Sequence, residues 1–154
     1  MNEYMVRAIG HVVSPRVGRE DDDWGDVEST IRLDAERFDS EALAGLDAFS
    51  HVEVIFLFDR LDEAKVALGG RHPRGNQAWP QVGIFAQRAS SRPNRLGLTA
   101  CDVVDVKGLE LTVRGLDAID GTPVLDIKPH IREFQPRGAV VQPDWITELM
   151  ADYW

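Results

Sequence analysis

The chain has 154 residues with a formal net charge of −9, and its 44% hydrophobic and 28% charged content suits one globular domain. No apolar run is long enough to span a bilayer, and the first residues carry no apolar signal core, so we expect a cytoplasmic protein outside the membrane. A single cysteine excludes an internal disulfide and a cysteine-based zinc site. Because the four histidines are scattered without ligand spacing, we expect no metal.

The charge is distributed unevenly along the chain. Residues 20–59 contain 13 acidic residues and two arginines, whereas residues 60–95 contain seven basic residues and two acidic ones. A chain of this net charge is not expected to coat itself with nucleic acid. One local basic surface could still hold phosphates, although two solvated faces of opposite sign would give the same pattern.

Strands at short intervals dominate the predicted secondary structure. Alternating or continuous apolar residues predict strands at 6–13, 27–33, 51–58, 82–86, about 96–105, about 109–116 and 123–127. A hairpin is expected near Lys107-Gly108. Ser40 is predicted to begin a short helix through Leu43 that stops at Gly45, and helical spacing predicts a second helix from Pro143 onward.

This pattern indicates a mainly β fold: one small domain over residues 1–154, a barrel or a sandwich, with a short helix after the second strand and a C-terminal helix. No G-x-G-x-x-G follows the first strand, so the sequence does not support the usual dinucleotide site. The C-terminal aromatic residues, among them Trp145, Tyr153 and Trp154, are typical of core packing or a dimer contact.

Two arginine-rich stretches follow the nearly continuous apolar strand predicted at 51–58, which we call the inner strand. Arg71-His-Pro-Arg-Gly-Asn76 could bind a phosphate or a base edge. Arg88-Ala-Ser-Ser-Arg-Pro-Asn-Arg95 places three arginines around a turn, and guanidinium forks match carboxylates and phosphates. A polar surface loop and a surface cluster of ion pairs are the simpler interpretations.

A third stretch, Asp117 to Pro129, groups three carboxylates, a threonine and a lysine around a glycine turn. Turn chemistry explains Asp120-Gly121, but it does not explain Asp126 and Lys128, which share one face of a strand. A fourth stretch leads into the inner strand at His51, which we interpret as a structural histidine.

The order of these stretches resembles the TrmO-like family of S-adenosylmethionine-dependent N6-methyltransferases that act on threonylcarbamoyladenosine in tRNA. The motifs span about residues 6–130 and read Ile9-Gly-x-Val-x-Ser-Pro15, Gly45-Leu-x-x-Phe-Ser-His51, Gly83-Ile-Phe-Ala-x-Arg88, Arg92-Pro-Asn94 with Gly97, and Asp117-x-x-Asp-Gly-Thr-Pro-Val-x-Asp-Ile-Lys-Pro129. The resemblance implies a small TsaA-like β-barrel with S-adenosylmethionine at the barrel mouth. It also implies a homodimer whose partner helps to complete the site, and it leaves residues 131–154 as a tail and helix.

Carried over by position, the resemblance implies cofactor contacts from Asp59, Arg60, Phe85, Arg88, Leu98, Asp117, Ala118, Ile119 and Asp120. An arginine suits the cofactor carboxylate, an aspartate suits its amine or ribose, and apolar side chains suit its adenine. Methyl transfer is an in-line displacement that depends mostly on positioning. Asp126 or Asp120 is a candidate general base, by proximity alone.

The acceptor is expected to contact a second group of residues: Trp24, Arg71, His72, Arg74, Arg92, Asn94, Arg95 and Lys128. The segment Asp21–Gly25 stands where the family carries a Pro-Arg-Gln element. Three functions therefore remain open: methylation of modified adenosine in tRNA, methylation of a small molecule or another nucleotide by the same fold, and non-catalytic binding of the cofactor or an RNA.

Overall fold

The computed structural model describes all 154 residues and is built mainly of strands. The strands are β1 (Gly10–Val13), β2 (Glu28–Leu33), β3 (His51–Leu57), β4 (Gly70–Arg71), β5 (Val82–Gly83), β6 (Leu96–Lys107), β7 (Glu110–Arg114) and β8 (Pro123–Pro129). One α-helix, α1 (Asp144–Leu149), lies near the C-terminus, and the connections contain single turns of 3-10 helix. The mainly β class and the C-terminal helix are confirmed.

Six of the strands close into an antiparallel barrel in the order β1-β2-β7-β6-β3-β8, while β4 and β5 pair only with each other. In an antiparallel barrel, successive connections alternate between the two ends. One end therefore carries the connections 14–27, 58–95 and 115–122, and we call it the loop mouth. Because these three connections hold most of the candidate residues, the topology gathers those residues from distant parts of the chain.

Buried and exposed side chains alternate along each strand, and the buried ones fill the barrel interior and form the core. On β3, Val52, Val54 and Phe56 are buried, and the residues between them are partly exposed. The alternation that predicted the strand at 27–33 is confirmed, since Ser29, Ile31 and Leu33 of β2 are buried and the residues between them are more exposed. Phe56 is the largest fully buried side chain and packs edge-on against Phe58 at 5.3 Å between ring centroids.

Gly97 on β6 allows the ring of Phe56 to lie against the strand. A Cβ at Gly97 would stand 2.4 Å from two atoms of that ring, much closer than van der Waals contact. We expect Gly97→Ala to destabilise the fold by about 1–3 kcal/mol in urea unfolding. Gly83→Ala is the matched control, because no atom lies within 4 Å of its Cβ position. Equal midpoints for the two variants would contradict this packing.

Cys101 is the only thiol and lies in the core at 3% exposure. Burial, followed by the charges of Asp102 and Asp117, raises the pKa of Cys101 to about 12. The thiolate is the reactive form, so we expect a disulfide reagent at about pH 8 to leave the native protein unmodified and to label one thiol after denaturation. Rapid labelling of the native protein would show that the barrel opens around this residue.

The predicted strand at 82–86 is wrong beyond Gly83. The Ile84 N–H donates to the Gly69 carbonyl at 3.0 Å, and the Gln87 N–H donates to the Ile84 carbonyl at 3.2 Å, so the chain turns into a 3-10 helix over Ile84–Ala86. Ile84 is buried by this turn, whereas Phe85 is left 75% exposed.

The short helix predicted at 40–43 lies elsewhere. Residues 39–45 form successive tight turns, in which the Asp39 carboxylate accepts from the Glu41 N–H at 2.9 Å, and the 3-10 helix follows at Leu46–Ala48. Gly45, with φ at 89°, precedes this helix instead of ending one. Side-chain hydrogen bonds of this kind compete with helix formation and favour turns.

The helix α1 is six residues long, and no helix has the length and hydrophobicity to cross a bilayer.

Candidate functional site

Asp120 joins the three connections of the loop mouth. Its carboxylate accepts from the Ser14 N–H at 3.0 Å, and its own N–H donates to the Arg16 carbonyl at 2.8 Å. The Arg60 guanidinium donates to the Asp120 carbonyl at 2.8 Å. The carboxylate and N–H of Asp120 therefore hold the connection 14–27, and its carbonyl keeps Arg60 beside it.

Asp117 is partly buried at the loop mouth and accepts two hydroxyl hydrogen bonds. Thr99 on β6 donates to one carboxylate oxygen, and Tyr153 from the C-terminal tail donates to the other. Burial, followed by the negative charge of Asp117, raises the pKa of Tyr153 far above its ordinary value. Tyr153 is therefore a neutral donor, and Asp117 is a carboxylate with a fixed orientation.

Four of the predicted site arginines at the loop mouth keep an unneutralised positive charge, since none of them forms an ion pair. Their hydrogen-bond partners are neutral oxygens: the Leu98 carbonyl for Arg88, the Gln87 carbonyl at 2.7 Å for Arg92, the Ser91 hydroxyl for Arg71, and the Asp120 carbonyl for Arg60. Arg88 also lies close enough to Tyr153 for its charge to act on the tyrosine pKa. An anionic ligand is the natural partner for such guanidinium groups.

Arg74 and Arg95 differ from these four because acidic residues already neutralise them. The Arg74 guanidinium lies 2.8 Å from the Asp22 carboxylate, which raises the pKa of Arg74. Arg95 lies 2.8 Å from the Glu63 carboxylate and also donates to the Leu61 carbonyl at 2.9 Å. Both arginines, predicted to contact the acceptor, therefore hold loops together in this structure.

Trp24, another predicted acceptor contact, packs inside the protein. Its side chain is 4% exposed, the Arg16 guanidinium stacks 3.7 Å from the ring centroid, and the indole N–H donates to the Asp21 carbonyl at 3.2 Å. His72 is bonded through Nδ1 to the Trp79 carbonyl at 2.7 Å, and Asn94 forms a left-handed turn with φ at 62°.

Apolar surface is also present at the loop mouth. Phe85 and Leu98 are 75% and 45% exposed, respectively. Ala118, in contrast, is buried in the core, so only its backbone could contact a ligand, while Ile119 is partly exposed. The exposed Asp59 lies two residues beyond the end of β3 and precedes Arg60.

Asp126 and Lys128 lie away from the other candidates, on β8. Asp126 stands opposite Ile55, which in turn stands opposite Leu98, so two strand spacings of about 5 Å separate Asp126 from Leu98. Asp126 lies 2.6 Å from Lys128 and raises the pKa of that lysine. This ion pair already engages the Asp126 carboxylate.

The residues of the loop mouth fit S-adenosylmethionine in their chemistry. Arg88 and its unpaired neighbours suit the carboxylate, Asp117 suits the amine or ribose, and Phe85 and Leu98 suit the adenine. The buried Gln87 adds an amide oxygen with no hydrogen-bond partner, so one acceptor near these arginines is unused. No group of three histidine, cysteine or acidic side chains is placed to hold a metal ion.

Sequence reasoning missed Thr99 and Tyr153. The signal for Thr99 is its inward position on β6 between Gly97 and Cys101, where a hydroxyl must find a partner. The signal for Tyr153 is that a tyrosine in an apolar tail usually directs its hydroxyl to a polar group.

Known proteins are similar to this chain in both sequence and fold. Residues 14–135 match the family model described as the tRNA-methyltransferase O N-terminal domain. The tRNA (adenine(37)-N6)-methyltransferase of Homo sapiens is 39% identical over 102 residues, which are 66% of this chain and 23% of the human protein. A Methanothermobacter thermautotrophicus protein named "Probable S-adenosyl-L-methionine-binding protein" is 35% identical over 140 residues, which are 88% of this chain and 96% of that protein.

The structural comparison agrees with the sequence comparison. The crystal structure of TrmO from Pseudomonas aeruginosa has a TM-score of 0.73 and 28% identity, and the match covers 91% of this chain and 61% of that one. This chain thus spans less than a quarter of the human relative but nearly all of the archaeal one. Since the family model covers most of the chain, the protein belongs to the family of the tRNA-methyltransferase O N-terminal domain.

Proposed function

We propose that the protein is an S-adenosylmethionine-dependent methyltransferase that N-methylates threonylcarbamoyl-modified adenosine in tRNA. The observation that carries this proposal is that the unpaired Arg88 and the oriented Asp117 carboxylate both lie near Tyr153, at the loop mouth of a barrel of this family. The names of the human and archaeal relatives, for adenine(37) N6-methylation and for S-adenosylmethionine binding, support it.

The residues of the loop mouth bind and orient. Arg88 holds the cofactor carboxylate, Asp117 holds the amine or ribose, and Phe85 and Leu98 cover the adenine. Asp59, Arg60 and the segment 118–120 form the adjoining wall. When bound, S-adenosylmethionine supplies a methyl group activated by its sulfonium charge. Catalysis by this chain is then mainly positioning of the acceptor nitrogen in line with that methyl group.

Two carboxylates are proposed as the base that takes the proton from the acceptor nitrogen. Asp120 lies at the loop mouth itself, whereas Asp126 lies two strands away and is paired with Lys128. The geometry favours Asp120 of the two.

The acceptor approaches over the rim of the same mouth. Arg71 and Arg92 carry free charge for phosphates, and His72 and Asn94 lie in the same long connection. Arg74, Arg95 and Lys128 would contribute only by exchanging their acidic partners for RNA phosphates. We also propose, from the family likeness, a cytoplasmic homodimer whose partner completes this surface.

The proposal is tested with S-adenosylmethionine and bulk tRNA from a strain that lacks its own methylase. We expect release of S-adenosylhomocysteine and a one-methyl mass increase on the threonylcarbamoyladenosine nucleoside, with RNA binding that weakens steeply as salt increases. Turnover without a mass change on tRNA, but with a small acceptor, would establish the small-molecule reaction instead. Cofactor binding without any turnover would indicate a non-catalytic module.

A further inference from the structure

The C-terminal segment returns to the loop mouth and is attached there by its backbone. The Asp23 N–H donates to the Asp152 carbonyl at 2.9 Å, and the Trp24 N–H donates to the Tyr153 carbonyl at 2.8 Å. On α1, the Glu148 carboxylate accepts from the Trp79 indole N–H at 2.8 Å. The segment 144–154 is therefore tied to two of the three connections of the mouth, independently of the Tyr153 side chain.

The side chain of Tyr153 points from this segment to Asp117. Its hydroxyl donates to one carboxylate oxygen of Asp117, and the Thr99 hydroxyl donates to the other. The Tyr153 ring packs edge-on against Trp154 at 4.9 Å between centroids, which limits its movement. A carboxylate has about four lone-pair sites, so two remain available to a ligand.

We infer that Tyr153 is a positioning residue for cofactor binding and that residues 150–154 form a wall of the cofactor site. This inference rests on the proposed function, because it takes S-adenosylmethionine as the ligand of Asp117. A neutral hydroxyl on each oxygen fixes the plane of the carboxylate without cancelling its charge, so that the remaining lone pairs face the amine or ribose in advance. Without Tyr153, the carboxylate has to be ordered when the cofactor binds, which weakens affinity.

Tyr153→Phe tests this role, and Tyr4→Phe is a matched control because Tyr4 is 84% exposed and is the only other tyrosine. We expect Tyr153→Phe to raise the Kd and the KM for S-adenosylmethionine by about tenfold, the effect of one hydrogen bond to a charged group, and to leave kcat within about twofold. Tyr4→Phe should match the wild type.

The outcomes separate this inference from the proposed function. Wild-type affinity, or tighter binding, in Tyr153→Phe would overturn the inference while the cofactor assignment stands, and tighter binding would show that the tail excludes the cofactor. If the wild type itself does not bind S-adenosylmethionine, the proposed function fails and the inference fails with it.

A second measurement detects the contact without any cofactor. In Tyr4→Phe the only remaining phenol is Tyr153, whose ionisation is followed by phenolate absorbance. Burial and the Asp117 charge both oppose the phenolate, so this phenol should stay neutral well above the ordinary pKa of about 10. Adding Asp117→Asn removes the charge and should lower the Tyr153 pKa. An ordinary titration in Tyr4→Phe would show that the tail does not reach Asp117.

Discussion

Arg88→Ala should abolish measurable binding of S-adenosylmethionine, a loss of about 100-fold or more in Kd by calorimetry. The Arg88 guanidinium forms no ion pair and is held by the Leu98 carbonyl at the loop mouth, so its charge is available to the cofactor carboxylate. Removing it leaves that carboxylate without its strongest partner. Arg88→Lys, which keeps the charge but loses the planar fork, should retain intermediate affinity.

The matched control for Arg88 is Arg32→Ala. Arg32 is an exposed arginine on β2, paired with Glu110 at 2.7 Å, near the end of the barrel opposite the loop mouth. The Arg32→Ala variant should bind S-adenosylmethionine like the wild type. A folded Arg88→Ala protein with unchanged affinity would move the cofactor site away from Arg88.

Phe56→Ala should destabilise the protein by about 3–5 kcal/mol in urea unfolding. The Phe56 ring is 1% exposed and fills the barrel against Gly97 and Phe58, and the rigid strands around it can close only part of the resulting cavity. For a small domain, a loss of this size is a large share of the total stability.

Phe85→Ala is the control for the same residue type at an exposed position. Because Phe85 is 75% exposed, its removal should change stability by less than about 0.5 kcal/mol. It should weaken binding of S-adenosylmethionine, since Phe85 is proposed to cover the adenine. Equal unfolding midpoints for the two alanine variants would contradict the assignment of Phe56 to the core.

The strands of the barrel were predictable because their patterns are local. Residues 51–57 are nearly continuously apolar, and the residues of β2 alternate, so both strands follow from burial of one face. The error at 82–86 has the same origin: an apolar run satisfies a strand or a buried turn equally well. The carbonyl of Gly69, which the sequence does not place beside Ile84, selects the turn.

The sequence predicts which types of residue form the site, but it does not predict which of them pair with one another. The arginines between residues 71 and 95 look alike in the sequence, yet Asp22 and Glu63 neutralise Arg74 and Arg95 and leave Arg88 free. The contact of Tyr153 with Asp117 depends on a tail that crosses the barrel mouth, and no local pattern encodes such a crossing. The cofactor assignment therefore came from the order of the family motifs.

A crystal structure of the protein with S-adenosylmethionine is the most direct test of the cofactor site. We expect the ligand at the loop mouth, with its carboxylate on Arg88, its amine or ribose on Asp117, and Tyr153 still bonded to that aspartate. A ligand bound at the opposite end of the barrel, or at a surface that contacts neither Arg88 nor Asp117, would contradict the assignment.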